Sequence, residues 1–155
     1  MRRHALTKVL PYQPDQMFDL VGDVDRYPQF VPWITSMRTW NDREVEPGVS
    51  IVDAEAGVGF SFLRERFTTR VTRDAPQGRI DVRLISGPFR ALANQWLFRP
   101  HPDGTEIAFS IDFEFKSRLL DAFLAANMDR AIVMLIGCFE ARAKTLYGAG
   151  TAQEA

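Results

Sequence analysis

The stretch Glu106-Ile107-Ala108-Phe109-Ser110-Ile111-Asp112-Phe113-Glu114-Phe115, followed from Ser117 to Leu146 by a run without proline, decides the fold. In its first part Ile107, Phe109, Ile111, Phe113 and Phe115 alternate with Glu106, Ala108, Ser110, Asp112 and Glu114. A period of two puts the apolar set on one face and the largely polar set on the other, which predicts a strand in a sheet covered on one side. The second part predicts the cover. Only Gly137 is a weak helix former there, and roughly 30 residues at 1.5 Å each make a helix of about 45 Å. Leu120, Phe123, Leu124, Met128, Ala131, Ile132, Leu135, Phe139 and Leu146 fall on one broad stripe, with Arg118, Asp129, Glu140 and Lys144 marking the opposite face. Val133 and Ile136 flank that polar face, a place for contact with another subunit or a membrane surface, or for ordinary exposed apolar residues.

Upstream, turn signals at Asn41-Asp42, Pro47-Gly48, Gly57 to Gly59, Pro76-Gln77-Gly78 and Gly87-Pro88 cut the chain into short alternating segments. They predict strands near 3–10, 33–40, 49–56, 60–73, 79–86, 89–99 and 105–115, with the short breaks making successive strands antiparallel neighbours. Between the first two strands, Gln13-Pro14-Asp15 opens a short helix carrying Met17, Phe18, Leu20 and Val21 and closed by Gly22. Residues 23–33, with two prolines and three aromatics, read as one helical turn and then a loop. The expected fold class is α+β, a curved antiparallel β-sheet wrapped around a long C-terminal α-helix. A sheet bent around a single helix does not close perfectly on it, and the gap is a natural apolar cavity.

A length of 155 residues sets about one domain, expected over 1–147 with a flexible tail at 148–155. Apolar residues make up 46%, and 19 basic against 20 acidic side chains leave a net charge of −1. That balance argues against disorder and against attraction of the whole surface to nucleic acid, DNA included, or to anionic lipid, while leaving room for a local basic patch. The single cysteine, Cys138, makes no internal disulfide, and with His4 and His101 it leaves too few soft ligands for a structural zinc site. No uninterrupted apolar run approaches the ~20 residues of a membrane span. The start lacks an apolar segment after Arg2 and Arg3. The expected location is the cytoplasm, with peripheral contact at the inner face of the cell membrane allowed.

Catalysis finds little support. His4 sits near the expected frayed start and His101 in the turn Pro100-His101-Pro102-Asp103-Gly104, so neither reads as a buried base held by a third group. Cys138 reads as a packing residue within the helix. Arg64-Glu65-Arg66 reads as alternating charge on a half-solvated strand, making weak cross-strand pairs. Asn94 shares strand parity with Leu92, Trp96 and Phe98 and is expected to face inward, there to bond either the backbone or a ligand carbonyl. Twelve Phe, three Trp and three Tyr are more aromatic bulk than two packed layers require, which favours a ligand cavity.

Three segments carry a resemblance: Asp25-Arg26-Tyr27-Pro28-Gln29-Phe30-Val31-Pro32-Trp33, Gly87-Pro88-Phe89-Arg90-Ala91-Leu92-Ala93-Asn94-Gln95-Trp96-Leu97-Phe98, and Asp112-Phe113-Glu114-Phe115-Lys116-Ser117-Arg118-Leu119-Leu120. In this order, over about residues 3–147, the chain resembles the coenzyme Q-binding branch of the START-like, polyketide-cyclase-related superfamily. The run Phe67-Thr68-Thr69-Arg70-Val71 departs slightly from that branch's pattern, and the organelle-targeting extension of its mitochondrial members is lacking. The resemblance implies a helix-grip fold (START-like, Bet v 1-like). It also implies a non-enzymatic protein that holds ubiquinone or a related prenyl lipid as carrier or chaperone in respiratory electron transport, with no covalent cofactor. The same branch contains bacterial ribosome-association toxins that bind the large subunit, which makes ribosome binding the alternative. Arg64, Arg66, Arg70, Arg73 and Arg79 are the patch such a partner needs, diluted by Glu65, Asp74 and Asp81. A small aromatic polyketide cyclase is a second alternative, for which no inward acid or base is placed. The candidate cavity lining is Phe30, Trp33, Phe60, Phe62, Phe67, Leu92, Asn94, Trp96, Phe98, Phe109, Ile111, Phe113, Leu120, Phe123, Leu124, Met128 and Leu135. Leu124 and Met128 are expected over the cavity centre, with Trp96 and Phe98 facing them.

Overall fold

Seven strands form, with breaks at Pro47-Gly48, Pro76-Gln77-Gly78 and Gly87-Pro88 as expected: β1 (Arg2–Leu10), β2 (Ile34–Glu46), β3 (Val49–Phe60), β4 (Leu63–Asp74), β5 (Arg79–Ser86), β6 (Phe89–His101) and β7 (Gly104–Phe115). The computed structural model describes residues 2–60 and 63–148, with Arg2, Phe60 and Leu63 described by their backbone alone. Phe62 and the expected tail beyond Gly148 lie outside the described residues.

The strands form one antiparallel sheet in the order β1-β7-β6-β5-β4-β3-β2. From β2 to β7 each strand pairs with its successor, as the short breaks require. β1 pairs instead with β7, Leu6 opposite Phe109, so the chain must then travel to the far edge before β2 begins. Helix α1 (Pro14–Gly22) and a 3-10 helix at Val24–Gln29 make that journey, their apolar sides turned to the sheet. Pro14 occupies the first turn of α1, and Gln13 N–H donates to Gln16 Oε1 at 2.9 Å, which satisfies one of the orphan donors of the helix start.

Two expected turns are strand interior. Asn41 and Asp42 form a bulge in β2, where Asn41 takes φ 57 and the register slips between Trp40 and Arg43. Gly57 and Gly59 belong to β3. A Cβ on Gly57 would collide with Ser36 Oγ on β2, so glycine there marks a close approach of two strands rather than a reversal.

Helix α2 (Arg118–Tyr147) lies in the concave face, nearest to β1, β7 and α1. Ser117 caps it, its Oγ accepting from Leu120 N–H at 3.2 Å, and Asp121 reaches back to accept from Phe115 N–H at 3.1 Å. By length and composition alone α2 is apolar enough to cross a membrane. In this fold one stripe of it is sheet-facing core, and 17% of its apolar window is buried.

Candidate functional site

The concave interior divides along α2. In the C-terminal half, Ile132, Ile136, Phe139 and Ala143 are buried, at the alternating spacing of three and four that marks one helix face. Phe139 is the hub. Its ring lies 5.1 Å from Trp96, 5.2 Å from Phe30 and 5.3 Å from Tyr27, in edge-to-face arrangements that suit the ring quadrupoles. Trp96 in turn packs on Phe109 at 4.8 Å and Phe98 at 6.3 Å, and Phe98 receives Phe18 of α1 at 6.0 Å. Of the candidate lining residues, Trp96, Phe98 and Phe109 are therefore filled core beneath Phe139, with Leu135 half-buried at its margin. Of the two residues expected opposite Trp96 and Phe98, Met128 does pack against this cluster, whereas Leu124 packs only against the second one described below.

The N-terminal half is different. From Arg118 to Ala131 no side chain of α2 is buried. Leu120, Leu124 and Met128 lean on a second cluster, in which Phe89, Phe113 and Phe115 are buried and Phe67, Leu84, Leu92 and Ile111 are only partly covered. Leu92 and Ile111 belong to the inward faces of β6 and β7, since they share parity with buried Trp96 and Phe113. These inward residues stay partly exposed, although Ile111 and Met128 also pack on the first cluster, so α2 covers the sheet incompletely here and leaves an open groove with an aromatic floor. Phe67 stands at its side, edge-on to Phe89 at 5.3 Å. Phe123 is half-buried on the same half of the helix.

Asn94 sits on the boundary between the halves. Its Nδ2 donates to Ser110 O at 2.8 Å and its Oδ1 accepts from Trp96 Nε1 at 3.0 Å. The amide thus satisfies the buried indole and a strand carbonyl, the structural role rather than the ligand-reading one, with one N–H and one lone pair left toward the groove.

Two polar contacts join α2 to β1. His4 Nδ1 lies 2.8 Å from Asp129 Oδ1, and Lys8 Nζ donates to Glu140 Oε1 at 2.8 Å. His4 is an ordered strand residue stacked on Phe113 at 5.8 Å, which corrects its expected place in a frayed start. The polar face largely holds, with Arg118, Asp129 and Lys144 exposed, but its expected neighbours change places: Ile136 is buried at 2% exposure, whereas Leu146 is exposed. Val133 is exposed, as expected.

Phe30 and Trp33 lie away from the groove. With Pro32, Met134, Gly137 and Cys138 they line a depression of about 470 Å³ on the flank of α2's C-terminal half, where the Arg142 guanidinium sits 5.3 Å from the Phe30 ring centre. Burial pushes the Cys138 thiol up, away from the reactive thiolate. A smaller hollow of about 340 Å³ at the start of α2 is ringed by Arg90, Glu114, Lys116, Arg118 and Asp121. His101 lies in its turn, its Nδ1 accepting from Asp103 N–H at 3.0 Å. Among the described residues the buried polar side chains are Asp53, Thr69 and Thr105. Thr105 Oγ1 donates to Tyr12 O at 2.6 Å, and Asp53 serves an ion pair on the outer face of the sheet. Register places Glu65, half-buried, on the concave side beside Val58, with Arg64 and Arg66 on the convex side.

A curved antiparallel sheet gripping one long helix, with an apolar groove at the helix's N-terminal end, defines an α+β protein of the START-like, Bet v 1-like class. The chain belongs to the family of polyketide cyclases, dehydrases and lipid-transport proteins, whose model matches residues 10–140. It is 38% identical to the ribosome association toxin RatA of Rickettsia prowazekii, over 89% of this chain and 93% of that protein. It is 29% identical to the mitochondrial coenzyme Q-binding protein COQ10 homolog B of Xenopus laevis, over 94% of this chain and 59% of that one. Among solved structures it is similar to the 18 kDa protein CC1736 of Caulobacter crescentus, with 65% identity, a TM-score of 0.82, and coverage of 96% of this chain and 100% of that one.

Proposed function

We propose that this protein binds a prenyl quinone, ubiquinone or a close relative, and acts as its carrier rather than as an enzyme. The observation that carries the reading is the unburied N-terminal half of α2 above Leu92 and Ile111. Apolar side chains so arranged gain free energy by accepting a flexible hydrocarbon. At about 0.8 kcal/mol per buried CH₂, one five-carbon unit contributes several kcal/mol without any directional contact. The head group would meet the inner end of the groove beside Asn94, whose amide keeps one N–H free of the bonds already named, while the rest of a long tail extends outward or stays in the bilayer, because typical pockets hold only about 300–1,000 Å³. Phe67, Leu92, Ile111, Leu120, Leu124 and Met128 would contact the tail. The likeness to a COQ10 homolog supports the quinone as head group. Organic extraction of protein purified from its host, followed by mass spectrometry, tests the reading: a prenyl quinone is expected. No bound lipid together with no uptake of added ubiquinone would refute it.

A second reading, association with the large ribosomal subunit, is favoured by the likeness to RatA over nearly the whole of both chains. Co-sedimentation with purified large subunits tests it, and binding that weakens steeply with salt is the expected behaviour of phosphate contacts.

A further inference from the structure

On a chain whose net charge is only −1, the convex face of the sheet carries three exposed arginines that no carboxylate among the described residues neutralises. Register defines it. Trp40, Asp53, Arg70 and Arg83 stand directly opposite one another across β2, β3, β4 and β5. Asp53 holds Arg70, accepting at 2.9 and 3.2 Å from its Nε and Nη2, and the guanidinium holds the Asp53 carboxyl below the usual carboxylate range. Arg79 is similarly held by Asp81 at 2.6 Å. Arg73, which belongs to the sequence-level patch, turns inward and donates to Gly22 O at 3.1 Å and Asp42 at 2.6 Å, so it leaves the set.

What remains is Arg64, Arg66 and Arg83, all exposed and without an ion pair among the described residues. Arg83 stands opposite Arg70, whose charge Asp53 already offsets, so Arg83 adds a cation to this face that no described carboxylate answers. Arg64 and Arg66 project from β4 at alternate residues, about 6.8 Å apart. Beside them on β3 are Gly57 and Gly59, which raise no side chain between the two arginines and the solvent. At the edge, Arg38, which also lies 3.8 Å from Glu55, sits 5.0 Å from the centre of the exposed Trp40 ring, and exposed aromatic rings of this kind are surfaces on which unpaired bases rest.

We infer that this convex face binds the phosphate backbone of RNA, with Arg64, Arg66 and Arg83 on phosphates and the Arg38–Trp40 pair as platform for an unstacked base. The inference names the surface that the ribosomal reading needs, and so rests on that reading for its biological partner. Repeated cations with one aromatic suit a polyanion bearing planar bases better than an acidic peptide, and they lie on the face opposite the groove.

The test is fluorescence anisotropy with a short labelled single-stranded RNA, alongside co-sedimentation with large subunits, on the wild type and on an Arg64→Glu, Arg66→Glu, Arg83→Glu variant. Three phosphate contacts predict a slope of log affinity on log salt of about −2, or roughly a 20-fold loss between about 50 and 200 mM salt. The triple variant should lose at least that much at low salt, with an unchanged thermal melt because all three side chains are exposed. Trp40→Ala should weaken RNA binding about fivefold or more without changing the slope. Lys144→Glu on α2 should change neither. RNA binding that needs these arginines without subunit association would keep the face and remove the ribosomal reading. Undetectable RNA binding, binding indifferent to the triple change, or arginine-dependent binding to phosphatidylglycerol vesicles but not to RNA would overturn the inference.

Discussion

The two halves of α2 have nearly the same apolar content and opposite fates. Residues 132–143 put Ile132, Ile136, Phe139 and Ala143 into a core closed by Trp96, Phe98, Phe109 and the aromatic loop. Residues 118–131 offer Leu120, Leu124 and Met128 to a sheet that does not close on them. The difference comes from what lies opposite. α1 and the 3-10 helix pass under the C-terminal half and fill the angle between helix and sheet, and nothing comparable among the described residues fills the N-terminal end. Hydrophobicity therefore does not tell core from ligand site in this helix; the presence of a second covering layer does.

The largest expected effect lies at the hub of the closed half. Phe139→Ala removes a ring that touches Trp96, Phe30 and Tyr27, and should cost about 3–5 kcal/mol in a urea or guanidinium melt. In the open half, Leu124→Ala should cost about 2 kcal/mol or less, because the void it leaves joins a groove that already exists. Equal costs at the two positions would erase the distinction. A smaller effect of opposite sign is expected on the outer surface of the closed half. Gly137 has open space where a Cβ would stand, so Gly137→Ala should stabilise by about 0.5–1 kcal/mol, read as a rise in Tm.

The smallest effect concerns pH and lies away from both halves. Asp53 has its carboxyl held low, first by its hydrogen bonds from Arg70. A group depressed in the folded state contributes stability above its unfolded value of about 3.9 and loses it as pH falls through the folded value. Acid melts should therefore show a decline below about pH 4 that is shallower in Asp53→Asn. An identical decline in the variant would remove Asp53 from the account.

Much of the fold was legible because period-two alternation and turn chemistry act locally: β7 could be read residue by residue, and Pro14 and Gly22 bounded α1. Pairing of β1 with β7 was not legible, since nothing local in 3–10 names a partner more than ninety residues away. The faces of α2 were misread at Ile136 for a specific reason. Asp129 and Glu140 mark the polar side correctly, but they also pair with His4 and Lys8 on β1, so the strip beside them faces the first strand rather than solvent alone. Of the candidate lining, Leu92, Ile111, Leu120, Leu124, Met128 and Phe67 come together at the groove, Trp96, Phe98 and Phe109 go into core, and Phe30 and Trp33 go to the flank. Aromatic richness alone could not separate these, because a large ring serves equally as core and as cavity wall.

The central claim is that the N-terminal half of α2 covers an apolar ligand while the C-terminal half covers only protein. Titration of a short-tailed ubiquinone, followed by Trp fluorescence, into Leu124→Trp and wild type tests it most directly, with a thermal melt of each apo protein. If the groove is open, the larger ring is accommodated with little change in Tm and fills the tail site, lowering quinone affinity at least tenfold. A large drop in Tm with unchanged quinone affinity would show that Leu124 sits in packed core and that the ligand is held elsewhere.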